Sequence, residues 1–429
     1  MCPPLEFCLS ATLPKPFKNR VFVSFVGARV CSALASAVLS VTIGWHLYQA
    51  TGNPFDLALV GLMQILPVIM LFIVTGWVVD NFPRNKVLLL CNGLQLVAFL
   101  GLALVLQNGQ VERLPIFALI FLSGCARAFI GPAMQSVLPN IVAKSQLSKA
   151  VAITSTCSTS AMTAGPFLAG LILVLLDFYA YWLLVVFTIL ALLLLTQLPD
   201  IRVEQQTQRS IKQLTEGIGF VFSHPIVLPS ITLDLFIILF GSVVALLPVF
   251  AVDVLGVGPE ALGLLRAMPA LGAVVAGAVM SRWTQNHRAG ARLFWSLLVF
   301  SFSVLVFALS NSLWLSLVAL FVYGASDMVS VNIRSTLVHL ATPDALRGRV
   351  NAVNSLFIAT SNDLGDFRAG AVAAAFGATS AALVGAGVAF VVTGVGYISC
   401  HKLRALRDIE SAAHIPAEPK AGVASSSGG

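Results

Sequence analysis

The sequence predicts an all-α integral membrane protein with twelve membrane-crossing helices in two six-helix pseudo-repeats, and three observations predict it. The first is composition: the 429 residues are 58% hydrophobic and 10% charged, with a mean hydropathy of +0.93, whereas soluble domains are about one quarter charged. The second is the recurrence of continuous apolar runs of about 20 residues, the length that crosses a hydrocarbon core as helix. Strict alternation of apolar and polar residues, the mark of a membrane β-barrel, is missing, so the backbone must satisfy itself within helices. The third is internal repetition, six runs on either side of one long polar segment.

In order, the predicted spans are 21–48, 56–79, 87–106, 115–137, 150–176, 180–198, 226–252, 260–281, 291–310, 313–338, 350–376 and 379–400. They group into a tail (1–19), a six-helix bundle (20–198), a linker (199–225), a second six-helix bundle (226–402) and a small-residue tail (403–429) expected to be disordered. In the linker, SIKQLTEGIGFVF places Ile211, Leu214, Ile218 and Phe222 at helical spacing, which predicts an amphipathic helix on the membrane surface. The first 19 residues lack the pattern of a removable leader.

Lys and Arg gather on the cytoplasmic side of membrane proteins. Putting both termini there places 20 of the 25 basic residues in the cytoplasm, Arg334 among them, and leaves only Arg113 outside. The reading is a multi-pass plasma-membrane protein with cytoplasmic termini, whose net charge of +7 calls for no nucleic-acid partner. The seven cysteines show no CxxC and no disulfide framework.

Away from the span ends, four basic residues, Arg29, Arg127, Arg266 and Arg368, fall within spans, as do four acids, Asp234, Asp327, Asp363 and Asp366. A charge near the bilayer centre costs about 2.5–3.5 kcal/mol on insertion scales, so such residues face one another or a cavity. They serve either as structural ion pairs or as a transport site. An acid whose arginine contact changes between conformations picks up and releases a proton, because desolvation favours its neutral form and the arginine its charged one. The polar stretch SNDLGDFRAG (361–370) sets Asn362, Asp363 and Asp366 on one arc of a helix, and puts Arg368 about 140–240° away. That angle keeps Arg368 from neutralising its own acids, so partners are expected on other helices, Arg266 among them.

The halves are self-similar. A shift of 200 residues lays FLSGCARAF (121–129) over FVYGASDMV (321–329) and GPFLAG (165–170) over GDFRAG (365–370). A shift of 202 aligns Gly61, Leu62 and Pro67 with Gly263, Leu264 and Pro269. A duplicated six-helix unit with a site between the halves is a common architecture of secondary transporters. HExxH, GxSxG and GxxxxGK[ST] are absent, so the sequence predicts no enzyme, cofactor, metal or direct use of ATP.

GWVVDNFPRNKVLL, between the second and third spans, resembles the cytoplasmic signature of the major facilitator superfamily through Gly76, Asp80, Arg84 and Lys86, with Pro83 where that family usually has Gly. RAFIGPA (127–133) is similar to its proton-coupled Arg–Gly motif, and AGPFLAG to its antiporter motif, here Gly165, Pro166 and Gly170 with Gly365 and Gly370 as their later counterparts. The segment 326–357 with SNDLGDFRAG resembles the branch containing the enterobactin exporters and macrolide efflux proteins. The resemblance covers residues 20–400 and implies an alternating-access carrier whose first, fourth, seventh and tenth spans line a central cavity. It implies Asp234 and Asp327 as proton carriers, Arg127 and Arg29 as the cations that modulate them or face substrate, and a conformational latch at Asp80. The expectation is a monomeric, proton-coupled exporter of a small amphipathic molecule such as a siderophore. Alternatives are a drug or macrolide efflux carrier, an importer or facilitator, and a non-transporting receptor.

Overall fold

The computed structural model describes residues 20–109, 111–199, 218–282, 288–343 and 346–406, and among these there is no strand. Helices α1 (Arg20–Thr51), α2 (Pro54–Asn81), α3 (Arg84–Leu106), α4 (Arg113–Ile141), α5 (Leu147–Leu176) and α6 (Ala180–Leu195) precede the linker. After it come α7 (Val227–Gly241), α8 (Pro259–Arg282), α9 (Ala289–Leu309), α10 (Leu313–Ala341), α11 (Arg347–Phe376), α12 (Ala378–Ser399) and the single turn α13 (His401–Arg404). Of the amphipathic linker helix, 218–222 is helical, and the rest lies outside the described residues with the tails 1–19 and 407–429.

Helix ends follow local chemistry. Gly52, at φ +60°, terminates α1 by donating its N–H to the Tyr48 carbonyl, a left-handed cap that suits glycine. The Asn53 side chain then accepts from the N–H of Phe55 at 3.0 Å, with Pro54 in the first position of α2 where its missing N–H costs nothing. Gly377, at φ +87°, turns the chain between α11 and α12.

Ten stretches among the described residues are long and apolar enough to cross a membrane. One of them, Lys149–Leu195, contains both α5 and α6, and α11 is not among the ten.

The chain forms two compact units. One comprises Met1–Thr42 and Leu66–Gln205, and the other Ile43–Ile65 and Gln206–Gly429, so α1 and α2 each contribute to both. In the first unit, Phe22, Phe25, Leu88, Val137 and Leu195 are fully or almost fully buried in a common core. Gly165 lets α5 approach α1 so closely that a Cβ there would lie 2.5 Å from that of Ala37. In the second unit α8 and α10 cross backbone to backbone: a Cβ on Gly272 would strike the Phe321 carbonyl, and one on Gly324 the Pro269 carbonyl. Small residues permit such contact where lipid supplies no hydrophobic drive between helices.

The predicted seventh span, 226–252, is not one continuous helix. α7 stops at Gly241, Ser242 is extended (ψ 127°), and a 3₁₀ turn (Val244–Leu246), one helical turn (Leu247–Val249) and a π-helical turn (Phe250–Val254) complete the run. Hydropathy does not register the interruption because every residue from 243 to 252 is apolar.

Candidate functional site

Within the first unit, α1 and α5 position Arg29, which is half-buried and donates from Nε to Ser158 Oγ at 2.9 Å. Arg127 is exposed on α4. Of the latch residues, Arg84 donates from Nη1 to the Ser136 carbonyl at 2.8 Å, joining α3 to α4, while Lys86 and Gly76 are exposed. Asp80 sits in the last turn of α2, and its side chain lies outside the described set. Pro166 interrupts the donor ladder of α5 one residue after the Gly165 contact, and Gly170 is buried on the same helix.

In the second unit, α7 and α10 bring together Asp234 and Arg334 in a buried salt bridge, with the two side chains 11% and 8% exposed. Arg334 also donates from Nε to Ser330 Oγ at 3.1 Å, one turn earlier on α10. Asp327 lies on the same helix within electrostatic reach of both members of the pair. The bridge borders a cavity of about 30 Å³ between α7, α10 and α11, edged by Ser230, Ser335 and Asn354. That is room for one water with polar partners. Arg334 lies within α10, which runs on to Ala341, and Asp234 supplies its counter-charge. Its position was legible. Asp327, Ser330 and Arg334 are spaced at i, i+3 and i+7, which places them on one helical face.

A second cluster surrounds the break in α7. The helix end frees the Phe240 carbonyl, and Arg368 donates to it from Nη2 at 2.7 Å while its guanidinium lies 5.5 Å from the centre of the Phe240 ring. Ser242 donates to Asp366 Oδ1 at 2.9 Å, and the Tyr323 side chain hydrogen-bonds Ser242 from α10. Gly365 and Gly385 keep α11 and α12 close to this stretch of α7, where added Cβ atoms would crowd the carbonyls of Ile238 and Phe240. The helical-wheel reading of Arg368 needs correction. The guanidinium does pair with a different helix, but Asp366 also interacts with it electrostatically. A long flexible side chain is not confined to the angle of its Cα.

Asp366 interacts electrostatically with Arg266 and Asp363 as well. Nε of Arg266 and Nε of Arg368 have no hydrogen-bond partner among the described residues. Asn362 is exposed.

The part of α1 and α2 belonging to this unit packs along the same cluster. Gly44 faces Pro248 and Arg266, Gly61 faces the backbone of Asp363 and Phe367, and Gly370 faces Pro54 and Ala58. Tyr48 donates its hydroxyl to Asp253 in the π-helical turn. No sequence pattern pairs Tyr48 with Asp253, which are 205 residues apart, and neither stood out as a site residue.

Chemically, the unit offers two sets of buried charge contacts, one of them beside the interrupted stretch after α7. Among the described residues no group of three or more His, Cys, Asp or Glu side chains is placed to hold a metal.

Comparison with known proteins places these features. The sequence profile of the transmembrane secretion effectors, within the major facilitator superfamily, matches residues 11–428. The enterobactin exporter EntS of Citrobacter koseri is 25% identical over 373 residues, covering 86% of this chain and 88% of the exporter. EntS of Shigella boydii serotype 4 is 26% identical over 331 residues, covering 76% and 79%. Among solved structures, a bacterial homologue of the lysosomal transporter Spinster in an inward-facing, occupied conformation aligns with a TM-score of 0.70 at 14% identity, covering 94% of this chain and 98% of that one. A bacterial homologue of the iron transporter ferroportin in an inward-facing state gives 0.66 at 16% identity, covering 90% and 99%.

Proposed function

The chain belongs to the transmembrane secretion effectors of the major facilitator superfamily and is a multi-pass membrane transporter, and from that premise we propose that it exports a small amphipathic molecule of the siderophore class in exchange for protons. The twelve crossings of this reading count Lys149–Leu195 as two and include α11 as the polar member. Both termini lie in the cytoplasm, the working unit is a monomer, and the two six-helix repeats alternate access to a central site. Similarity to enterobactin exporters over most of both chains supports the direction and the substrate class.

The observation that carries the coupling is the buried Asp234–Arg334 bridge at the edge of a polar cavity, with Asp327 alongside. Making and breaking this bridge between the two access states is the exchange by which the chain couples to proton movement. Asp327 is the second acid of the same face and takes part in the same exchange. Arg266, Asp363, Asp366 and Arg368 order the interrupted segment of α7, which lines the substrate path. Arg29 and Arg127 contribute positive charge that suits an anionic substrate.

Reconstituted vesicles with an imposed pH gradient test this reading. Siderophore movement against its gradient is expected, with protons moving the opposite way, and the Asp234→Asn, Asp327→Asn double variant is expected to abolish accumulation. Gradient-driven transport that persists unchanged in the double variant defeats the mechanism. Transport of macrolides or other drugs with no response to a siderophore panel selects the efflux alternative within the same family.

A further inference from the structure

We infer that the face of the second unit where α9 begins and α12 ends binds the headgroup of an anionic phospholipid. The surface is assembled by α13. After α12 the backbone turns at Cys400 (φ −93°, ψ 59°), and α13 lies back against the start of α9. There the Gly290 N–H donates to the Leu406 carbonyl at 3.1 Å. Glycine is required at that contact, since a Cβ on Gly290 would collide with the Leu403 carbonyl. Arg404 fixes the corner from the other side. It donates from Nη1 to the Tyr397 carbonyl at 3.3 Å and places its guanidinium 4.7 Å from the centre of the Tyr397 ring. Phe294 of α9 meets that ring edge-on at 5.4 Å.

This docking brings Arg288 and Arg292 of α9 beside Lys402 and Arg404. Arg288, Arg292, His401 and Lys402 are exposed. The sequence contains no Asp or Glu in 288–309 or in 378–407, so neither helix dilutes the positive charge. Arg288 precedes α9 in the left-handed conformation (φ 59°, ψ 45°), next to the positive end of the helix dipole. Clusters of four or more Lys and Arg at the end of a membrane helix attract anionic headgroups.

What selects a lipid over a soluble anion is the apolar stripe that continues from the cluster. Arg292, Trp295, Val299 and Phe302 recur at steps of three and four residues, and the last three are 68%, 40% and 59% exposed. Ile398 on α12 is 67% exposed. A phosphate at the arginines leaves an acyl chain lying along this stripe, with Trp295 at the interface depth where indole rings concentrate. An acidic peptide or free phosphate has no use for the stripe.

Native mass spectrometry of the full chain, purified in detergent and titrated with phosphatidylglycerol or phosphatidylcholine, tests the assignment. The wild type is expected to retain phosphatidylglycerol preferentially. Removing one charge at Arg288, Arg292 or Lys402 is expected to weaken retention about fivefold, and the R288Q, R292Q, K402Q triple variant about a hundredfold. Gly290→Leu alters no charge but displaces α13, so it is expected to weaken retention as well, with helix content by circular dichroism unchanged. Arg20→Gln, an exposed charge on α1, is expected to leave retention as it was. Wild-type retention by the triple variant overturns the inference. So does an equal loss in Arg20→Gln, which means diffuse attraction, or displacement of the lipid by an equal concentration of inorganic phosphate, which means a free-anion site.

Discussion

Replacing Arg334 with leucine removes one half of a buried ion pair and strands the other. In the intact protein both side chains are about nine-tenths buried, and beside Asp234 lies a cavity of about 30 Å³ with Ser230, Ser335 and Asn354 on its walls. Breaking a buried pair by removing one partner costs about 3–5 kcal/mol. One water and three polar side chains offset part of that, so about 3 kcal/mol is expected to remain, a factor of roughly 150 in the folding equilibrium. Asp234→Leu strands the guanidinium, which keeps its bond to Ser330 Oγ, and should cost somewhat less. The Asp234→Leu, Arg334→Leu double variant removes both members of the pair but leaves Asp327, which also interacts with Arg334, without its arginine, so it keeps part of the loss although buried pairs replaced by apolar residues are often neutral or more stable by about 1–4 kcal/mol. The double variant is therefore expected to be more stable than Arg334→Leu, which strands two carboxylates at once, with a coupling energy of at least about 1 kcal/mol. Equilibrium unfolding of the purified chain in mixed detergent measures all four corners of the cycle. Single losses below about 1 kcal/mol, or losses that simply add in the double variant, refute the reasoning.

Three further outcomes follow from the same coordinates. Arg368→Ala, which leaves the Phe240 carbonyl without its charged donor, and Ser242→Ala, which takes a hydroxyl from the Asp366 carboxylate, each remove a hydrogen bond with one charged partner and should each destabilise by about 1.5–3 kcal/mol; detergent unfolding measures both, and a loss below about 0.5 kcal/mol in Arg368→Ala contradicts its capping role. Tyr48→Phe removes the donor to Asp253, and amide exchange across Phe250–Val254 should quicken in that variant; unchanged exchange means the bond does not hold the turn. Gly324→Val must push the Pro269 carbonyl aside and should cost at least about 1–3 kcal/mol, whereas Gly93→Ala on α3, with nothing within 4 Å, should gain up to about 1 kcal/mol; thermal melting of the pair compares them.

Hydropathy made the helical spans legible because lipid leaves the backbone few options. It was blind inside α7, where the residues after Ser242 are as apolar as those before it and the interruption is stabilised from α11. Charges on one helix were also legible in principle, since Asp327, Ser330 and Arg334 share a face through spacing alone. Charges on different helices were not. Asp234 meets Arg334, Ser242 meets Asp366 and Tyr48 meets Asp253 across 100 to 205 residues, and no local period records such pairings. Of the glycines in GPFLAG and GDFRAG, Gly165 approaches α1 and Gly365 approaches α7.

The interruption of α7 has a bearing on how the chain is assembled. At 15 residues α7 is about 22 Å long, short of a hydrocarbon core of about 30 Å. The carbonyl exposed at its end is met by a guanidinium 128 residues later in the chain. During synthesis that end has no arginine to cap it until α11 has emerged. α11, in turn, carries Asp363, Asp366 and Arg368 within six residues. It brings both charges that need partners and the arginine that caps α7, which makes the joining of the two a late step of biogenesis.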